Sequence, residues 1–186
     1  IEVTSLYDPR DLPSHVRKAK SASICPVWAK ISIPVLRGDY VLDLASKLAK
    51  AGADAIVISD SYGPALTIDI ETGRPVLGSS DGSGRISGPA IRPLTMYFTY
   101  LVSSKIGVPV IACGGISSYR DVVEAIMLGA SAVEVCSILL LRGPQVIERI
   151  LEDLLSFLRK KKWDLNGIRG VALEAIGRGV SVAGPP

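Results

Sequence analysis

The sequence predicts an α/β fold made of repeated βα units, those of a (β/α)8 TIM barrel whose N-terminal units are absent from this chain. Three observations carry that expectation. A short apolar, β-branched run followed by a polar turn and a helix-period stretch recurs five times. The helix-to-strand returns carry glycine, as in Ala51-Gly52-Ala53 and Leu128-Gly129-Ala130, which suits the left-handed residue that closes a helix. Glycine or small polar residues stand at the ends of several strands, where barrel sites lie. An open doubly wound sheet shares this grammar, and the unbroken succession of units of roughly 25 to 30 residues favours the barrel.

Taken in order, the first strand runs from Ile1 to about Ser5 and precedes a helix near Pro13 to Lys20. The second, Val27 to Ile33, precedes the helix Asp39 to Ala51. The third, Ala55 to Ser59, opens into a loop that reaches about Pro89, before a helix from Ala90 to Lys105. Glycines at 73, 78, 82, 84 and 88 give its second half the composition of a mobile loop over the open face, and a plain surface excursion fits equally. The fourth strand, Val108 to Cys113, leads through Gly114 and Gly115 into the helix Tyr119 to Leu128, and the fifth, Ala132 to Val135, feeds the helix Pro144 to Lys162. Five units do not close an eight-stranded barrel. The chain starts without methionine on residues that already read as a strand, so three units are expected upstream of Ile1, with 1–186 forming the C-terminal portion of one barrel domain.

A chain of 186 residues that is 48% hydrophobic has the material for a substantial core. The net charge of +3 is small and the basic residues are scattered, apart from Arg159 to Lys162 at a helix end, so no nucleic-acid role is expected. Cys25, Cys113 and Cys136 form no CxxC pair, which spells neither a zinc nor an iron–sulfur site, and they read as reduced thiols of a cytoplasmic protein. No apolar run reaches the roughly 18 residues of a membrane-spanning helix.

Counting back from the C-terminus, the strands that end at Cys113 and Val135 are the seventh and eighth of a barrel. The loops after those strands often build a phosphate site from backbone N–H groups. Gly114-Gly115 alone would equally make a tight turn, and the small polar step Cys136-Ser137 after the next strand tips the reading toward phosphate. Ser87-Gly88-Pro89 opens a helix whose N–H groups suit an anion. Lys30 lies inside an apolar strand, where an unpaired ammonium is costly to bury. Alternation places it with Trp28 and Ser32 on one face, pointing into the barrel mouth toward something anionic or electron-rich; a lysine snorkelling from the strand end is the plainer reading. Ser59, Asp60 and Ser61 form a polar cluster after the third strand, and Tyr7 and Asp8 follow the first at the end where a ligand would sit. His15 is assigned no role.

At these residues the sequence resembles the flavin barrels of the dihydroorotate and dihydropyrimidine dehydrogenases. Four blocks carry the likeness: Ile68 to Gly78, Ile86 to Pro93, Val108 to Ser118 and Gly129 to Ser137, joined by Lys30 and the ending Leu165 to Gly170. The resemblance implies FMN, with Lys30 at the pyrimidine edge of the isoalloxazine, Ser87 and Gly88 near the ribityl chain and phosphate, and Gly114, Gly115, Cys136 and Ser137 around the phosphate. Ser59 joins this cofactor-binding set. It also implies a dihydropyrimidine substrate, an electron-transfer partner subunit and a homo-oligomer.

The catalytic positions depart from the family. Thr4 stands where the family has asparagine, and Tyr7 falls closest to the position of the cysteine or serine base. Asp60-Ser61 replaces Asn-Thr, and its carboxylate would repel that of orotate. The expected function is therefore FMN-dependent oxidation of a dihydropyrimidine, with Lys30 and Tyr7 as the catalytic pair and Thr4, Asp60 and Ser61 on the substrate. A flavin-binding homologue of altered chemistry and a non-redox barrel acting on a phosphorylated compound are the alternatives.

Overall fold

The computed structural model describes residues 1–5, 9–33 and 37–177. Five strands, β1 (Glu2–Ser5), β2 (Trp28–Ile31), β3 (Ala55–Ile58), β8 (Val110–Cys113) and β9 (Ala132–Glu134), form one sheet in that order. All four pairings are parallel. This order separates the two architectures that the repeated grammar left open. A doubly wound sheet reverses direction at a switch point, whereas a barrel adds each strand on the same side, so right-handed crossovers keep every helix on one face. The sheet is a five-strand segment of a (β/α)8 barrel.

The helices follow the strands in turn. α1 (Leu12–Ala22) follows β1, α2 (Gly38–Lys50) follows β2, α3 (Arg92–Ser103) precedes β8 and α4 (Tyr119–Met127) follows it. After β9 come α5 (Ser137–Arg142), α6 (Val146–Lys161), α7 (Leu165–Ile168) and α8 (Val171–Gly177). Helix periodicity is clear in α2, where Val41, Leu44, Ala45 and Leu48 are buried, and in α6, where Val146, Ile150, Leu154 and Leu158 are. The last turn of α6 holds Arg159, Lys160 and Lys161 and ends on Lys162 in the left-handed region, so cations meet the negative end of the helix dipole.

Alternation divides the sheet into two faces. Ala29, Ile31, Ile56 and Ile58 pack into the core with α1, α2 and α3, while Ala112 joins a second cluster with α4 and α6. The face away from the helices, the inner face, carries Ala55, Val57, Ile111 and Cys113 as a small apolar group. In register beside them stand Trp28 and Lys30 on β2, Glu2 and Thr4 on β1 and Glu134 on β9.

Two features differ from the sequence expectation. The segment after β3 is not a structureless loop, for β4 (Tyr62–Ala65) pairs antiparallel with β7 (Gly84–Ile86), and β5 (Ile68–Asp69) with β6 (Arg74–Pro75). Its glycines are there partly for packing: a Cβ on Gly84 would lie 2.7 Å from Leu77 Cδ1. Second, α5 is a helix of its own, closed by Gly143 at φ 75°. Its apolar run Ser-Ile-Leu-Leu-Leu-Arg is too short to show helical periodicity. No helix of the described residues is long and apolar enough to cross a membrane.

Candidate functional site

A cavity of about 230 Å³ opens at the C-terminal ends of β3, β8 and β9. Six residues singled out for a cofactor meet there: Ser87, Gly88, Gly114, Gly115, Cys136 and Ser137. Asp60 and Ser61 form another part of the wall, with Ile138, Leu140 and Leu141 of α5 giving an apolar side.

The glycine pair is pressed against the start of α3. A Cβ on Gly115 would lie 2.7 Å from the backbone nitrogen of Arg92, and one on Gly114 would lie 2.8 Å from Thr95 Oγ1, with φ at 77° and 120° respectively. The turn is thus both tightly packed and glycine-dependent. Among the described residues, the N–H groups of Gly114 and Gly115 and of Ser137 and Ile138 at the start of α5 have no hydrogen-bond partner. The next helix start is already satisfied. Asp121 Oδ2 accepts from the N–H and hydroxyl groups of Ser117 and Ser118 at 2.9 to 3.0 Å, and Arg92 Nε lies 3.4 Å from the other oxygen. An anion at this cavity would therefore find main-chain donors rather than a lysine or arginine, since no cationic side chain is among its lining residues.

Behind the cavity wall, on the inner face, Lys30 Nζ lies 2.7 Å from Glu134 Oε2 and 3.0 Å from Glu2 Oε1. The three side chains are 15%, 26% and 33% exposed. Burial alone would lower the Lys30 pKa, but the carboxylates of Glu134 and Glu2 outweigh it and the ammonium is held more firmly than usual. Burial pushes the Glu134 carboxyl up, yet its hydrogen bond to Lys30 brings the net direction below the ordinary value. Glu2 goes the other way, because burial and the neighbouring Glu134 outweigh the same ammonium. Burial pushes the Cys113 thiol up to about 12, so it stays neutral beside this cluster.

The other singled-out residues fall as follows. Asp60 Oδ1 accepts from Ser61 N–H at 2.7 Å, and Arg85 Nε donates to the Ser61 hydroxyl at 2.8 Å, fixing both in the wall. Ser59 is fully buried; its hydroxyl is shared with the Tyr62 phenol at 3.0 Å and the Asp60 carbonyl at 3.1 Å, and it does not line the cavity. Thr4 is exposed on β1, opposite Lys30 in register and outside the cavity. Tyr7 and Asp8 lie outside the described residues. Sequence reasoning missed Glu2 and Glu134. A signal was available, since they are the only carboxylates within the five sheet strands and Lys30 is the only cation.

A dihydroorotate dehydrogenase family model matches residues 4–158. The chain is 38% identical over 157 residues to the dihydroorotate dehydrogenase B (NAD(+)) catalytic subunit of Archaeoglobus fulgidus, covering 84% of this chain and 50% of the relative. The chain belongs to the dihydroorotate dehydrogenase family. Catalytic subunits of the same description in Methanothermobacter thermautotrophicus, 34% identical over 77% of this chain and 46% of the relative, and in Pyrococcus horikoshii, 33% identical over 90% and 54%, extend the likeness. The chain spans about half the length of these curated relatives. The matched region of this family member begins within β1 and ends within α6, so it contains the last two residues of β1, the other four sheet strands and every residue of the cavity.

Proposed function

We propose that this chain supplies the FMN-binding part of a dihydroorotate dehydrogenase-type oxidoreductase that oxidises a dihydropyrimidine. The carrying observation is the cavity in which Gly88, the Gly114-Gly115 turn and the first turn of α5 converge, with the Lys30 cluster on the inner face behind it. The residues fit FMN at both ends. Unpartnered main-chain N–H groups beside glycines that a Cβ would fill suit its phosphate, and Ser87 and Gly88 border the same space. Lys30 has three N–H donors and gives two to Glu2 and Glu134, which leaves one for a carbonyl or ring nitrogen of the isoalloxazine.

Bound FMN supplies the hydride acceptor, while the carbon next to the one that gives up hydride loses a proton to a base. This chain's residues bind and orient. The turn after β8 and the start of α5 hold the phosphate, Lys30 holds the ring's polar edge, and Asp60 and Ser61 face substrate from the cavity wall. The base position falls at Tyr7. The relatives are named as catalytic subunits of an NAD(+)-dependent enzyme, which supports an electron-transfer partner subunit here. Homo-oligomerisation belongs to the same reading, and the three free cysteines support a reducing compartment such as the cytoplasm.

One observation favours a second reading, a flavin-binding homologue of altered chemistry: Asp60 and Glu134 both present carboxylates to the cavity, a poor setting for an anionic dihydroorotate. Anaerobic addition of dihydroorotate, then dihydrouracil, to the FMN-loaded complete protein separates them. Bleaching by either supports the dehydrogenase reading and names the substrate branch; a flavin that neither compound bleaches supports altered chemistry.

A further inference from the structure

Glu134 is unusual in having two roles in one position. It is the closest partner of Lys30, at 2.7 Å, and it is also part of the cavity wall, whereas Glu2 and Lys30 are not. Two carboxylates against one ammonium give the cluster a formal charge of −1. The apolar neighbours Val57 and Ile111 add no charge to it. Cys113 adds none either, its thiol being neutral.

An ammonium next to a flavin favours electron uptake, because it stabilises the negative charge that reduction adds to the ring. A carboxylate 2.7 Å from that ammonium turns a single positive charge into a dipole, whose field falls off much faster with distance. A carboxylate in the cavity wall also opposes the added charge directly. Resting on the FMN reading above, we propose that Glu134 is a positioning residue that offsets the charge of Lys30 and so holds the bound flavin at a lower reduction potential than the lysine alone would give. A flavin held low is the stronger electron donor, which suits a low-potential acceptor of the nicotinamide class. The lowered Glu134 pKa is in keeping with this, since the carboxylate stays charged through the neutral range.

The test uses the complete protein loaded with FMN, its midpoint potential measured against reference dyes at pH 7.5 and its FMN affinity by fluorescence quenching, in the wild type, Glu134→Gln, Glu134→Asp and Glu2→Gln. Glutamine keeps the shape and the hydrogen bond but removes the charge. Glu134→Gln is expected to favour the reduced flavin about tenfold or more, a rise of about 30 mV for a two-electron couple. Glu134→Asp keeps the charge and should stay near the wild-type midpoint, and Glu2→Gln should shift it less than Glu134→Gln. An unchanged or more negative midpoint in Glu134→Gln overturns the proposal, as does a Glu134→Asp shift as large as that of Glu134→Gln, which would mean packing rather than charge. A wild-type protein that takes up no FMN is a different failure, overturning the cofactor reading and this proposal with it.

Discussion

Replacing Gly115 by alanine separates the two reasons for a glycine in the turn after β8. At φ 77° an L side chain costs about 1–2 kcal/mol. The added Cβ would also lie 2.7 Å from Arg92 N and 2.8 Å from Arg92 Cα. Those are backbone atoms at the start of α3, so relief means moving a helix, at about 1–3 kcal/mol. Together the variant should lose about 2–5 kcal/mol from a stability of about 5–15 kcal/mol. Gly73 provides the comparison. Its φ is 68° with nothing within 4 Å of an added Cβ, so Gly73→Ala should lose only the backbone part, about 1–2 kcal/mol. Urea unfolding of both variants measures the difference, and FMN titration measures what the displaced turn does to the cavity. The expected result is a larger loss for Gly115→Ala by about 1 kcal/mol or more, with FMN bound about tenfold more weakly, or ~1.4 kcal/mol. Equal losses in the two variants would refute the claim that α3 fixes the turn. Unchanged FMN affinity in a destabilised Gly115→Ala would refute the turn's part in the cavity.

The Lys30 cluster and the cysteines yield two further predictions. Lys30→Met leaves Glu2 and Glu134 facing each other and should cost about 2–3 kcal/mol at pH 8, below the full cost of breaking a buried pair because the cluster is partly hydrated. The pH dependence has a definite sign. Lys30's raised value keeps its contribution fully present below its unfolded pKa, to be lost only as pH rises through the higher folded value, while Glu134's lowered value keeps its contribution until pH falls through the folded value. Glu2's raised value works the other way, its ionisation costing stability as pH rises past the ordinary carboxylate range. The loss in Lys30→Met should therefore shrink on going from pH 8 to pH 4, as measured by urea unfolding at both, and a loss that grows toward pH 4 would contradict the cluster. In alkylation by iodoacetamide followed by mass spectrometry, exposed Cys25 and Cys136 should react while buried Cys113, its thiol near 12, is spared at pH 8. FMN should protect Cys136 and not Cys25, since Cys136 lines the cavity and Cys25 does not; equal protection of both would count against the site.

Much of the fold was legible because it rests on local patterning. Runs such as Ala55–Ile58 and Val110–Cys113, buried at every position, read as strands without any partner in view. Barrel and doubly wound sheet share one local grammar, strand order being a non-local property; the unbroken succession of units and the small residues at strand ends favoured the barrel, and the strand order agrees with that choice. The loop glycines after β3 misled for a related reason. Composition registers freedom, whereas Gly84 is small because Leu77, from the segment between β6 and β7, packs on it. At the site, the small residues that end β8 and β9 pointed to a cavity by position alone, and Lys30 announced a missing counter-charge. The identity of that counter-charge needed the register that sets Cys113 opposite Glu134, and so brings a carboxylate from β9 across the inner face to β2. Ser59 shows the opposite limit: its place in the polar cluster at the strand end put it in the cofactor set, but its hydroxyl is taken up by Tyr62.

The central claim is that this cavity holds a flavin mononucleotide, and the most direct test is to identify what the complete protein carries. Its visible spectrum is recorded, the ligand is released by heat, and its mass is determined, with FMN titrated into any ligand-free fraction. The account predicts a flavin spectrum, the mass of FMN, and saturation at one FMN per chain. A colourless protein that also fails to take up added FMN would contradict it, leaving the glycine turn and the first turn of α5 to some other anion.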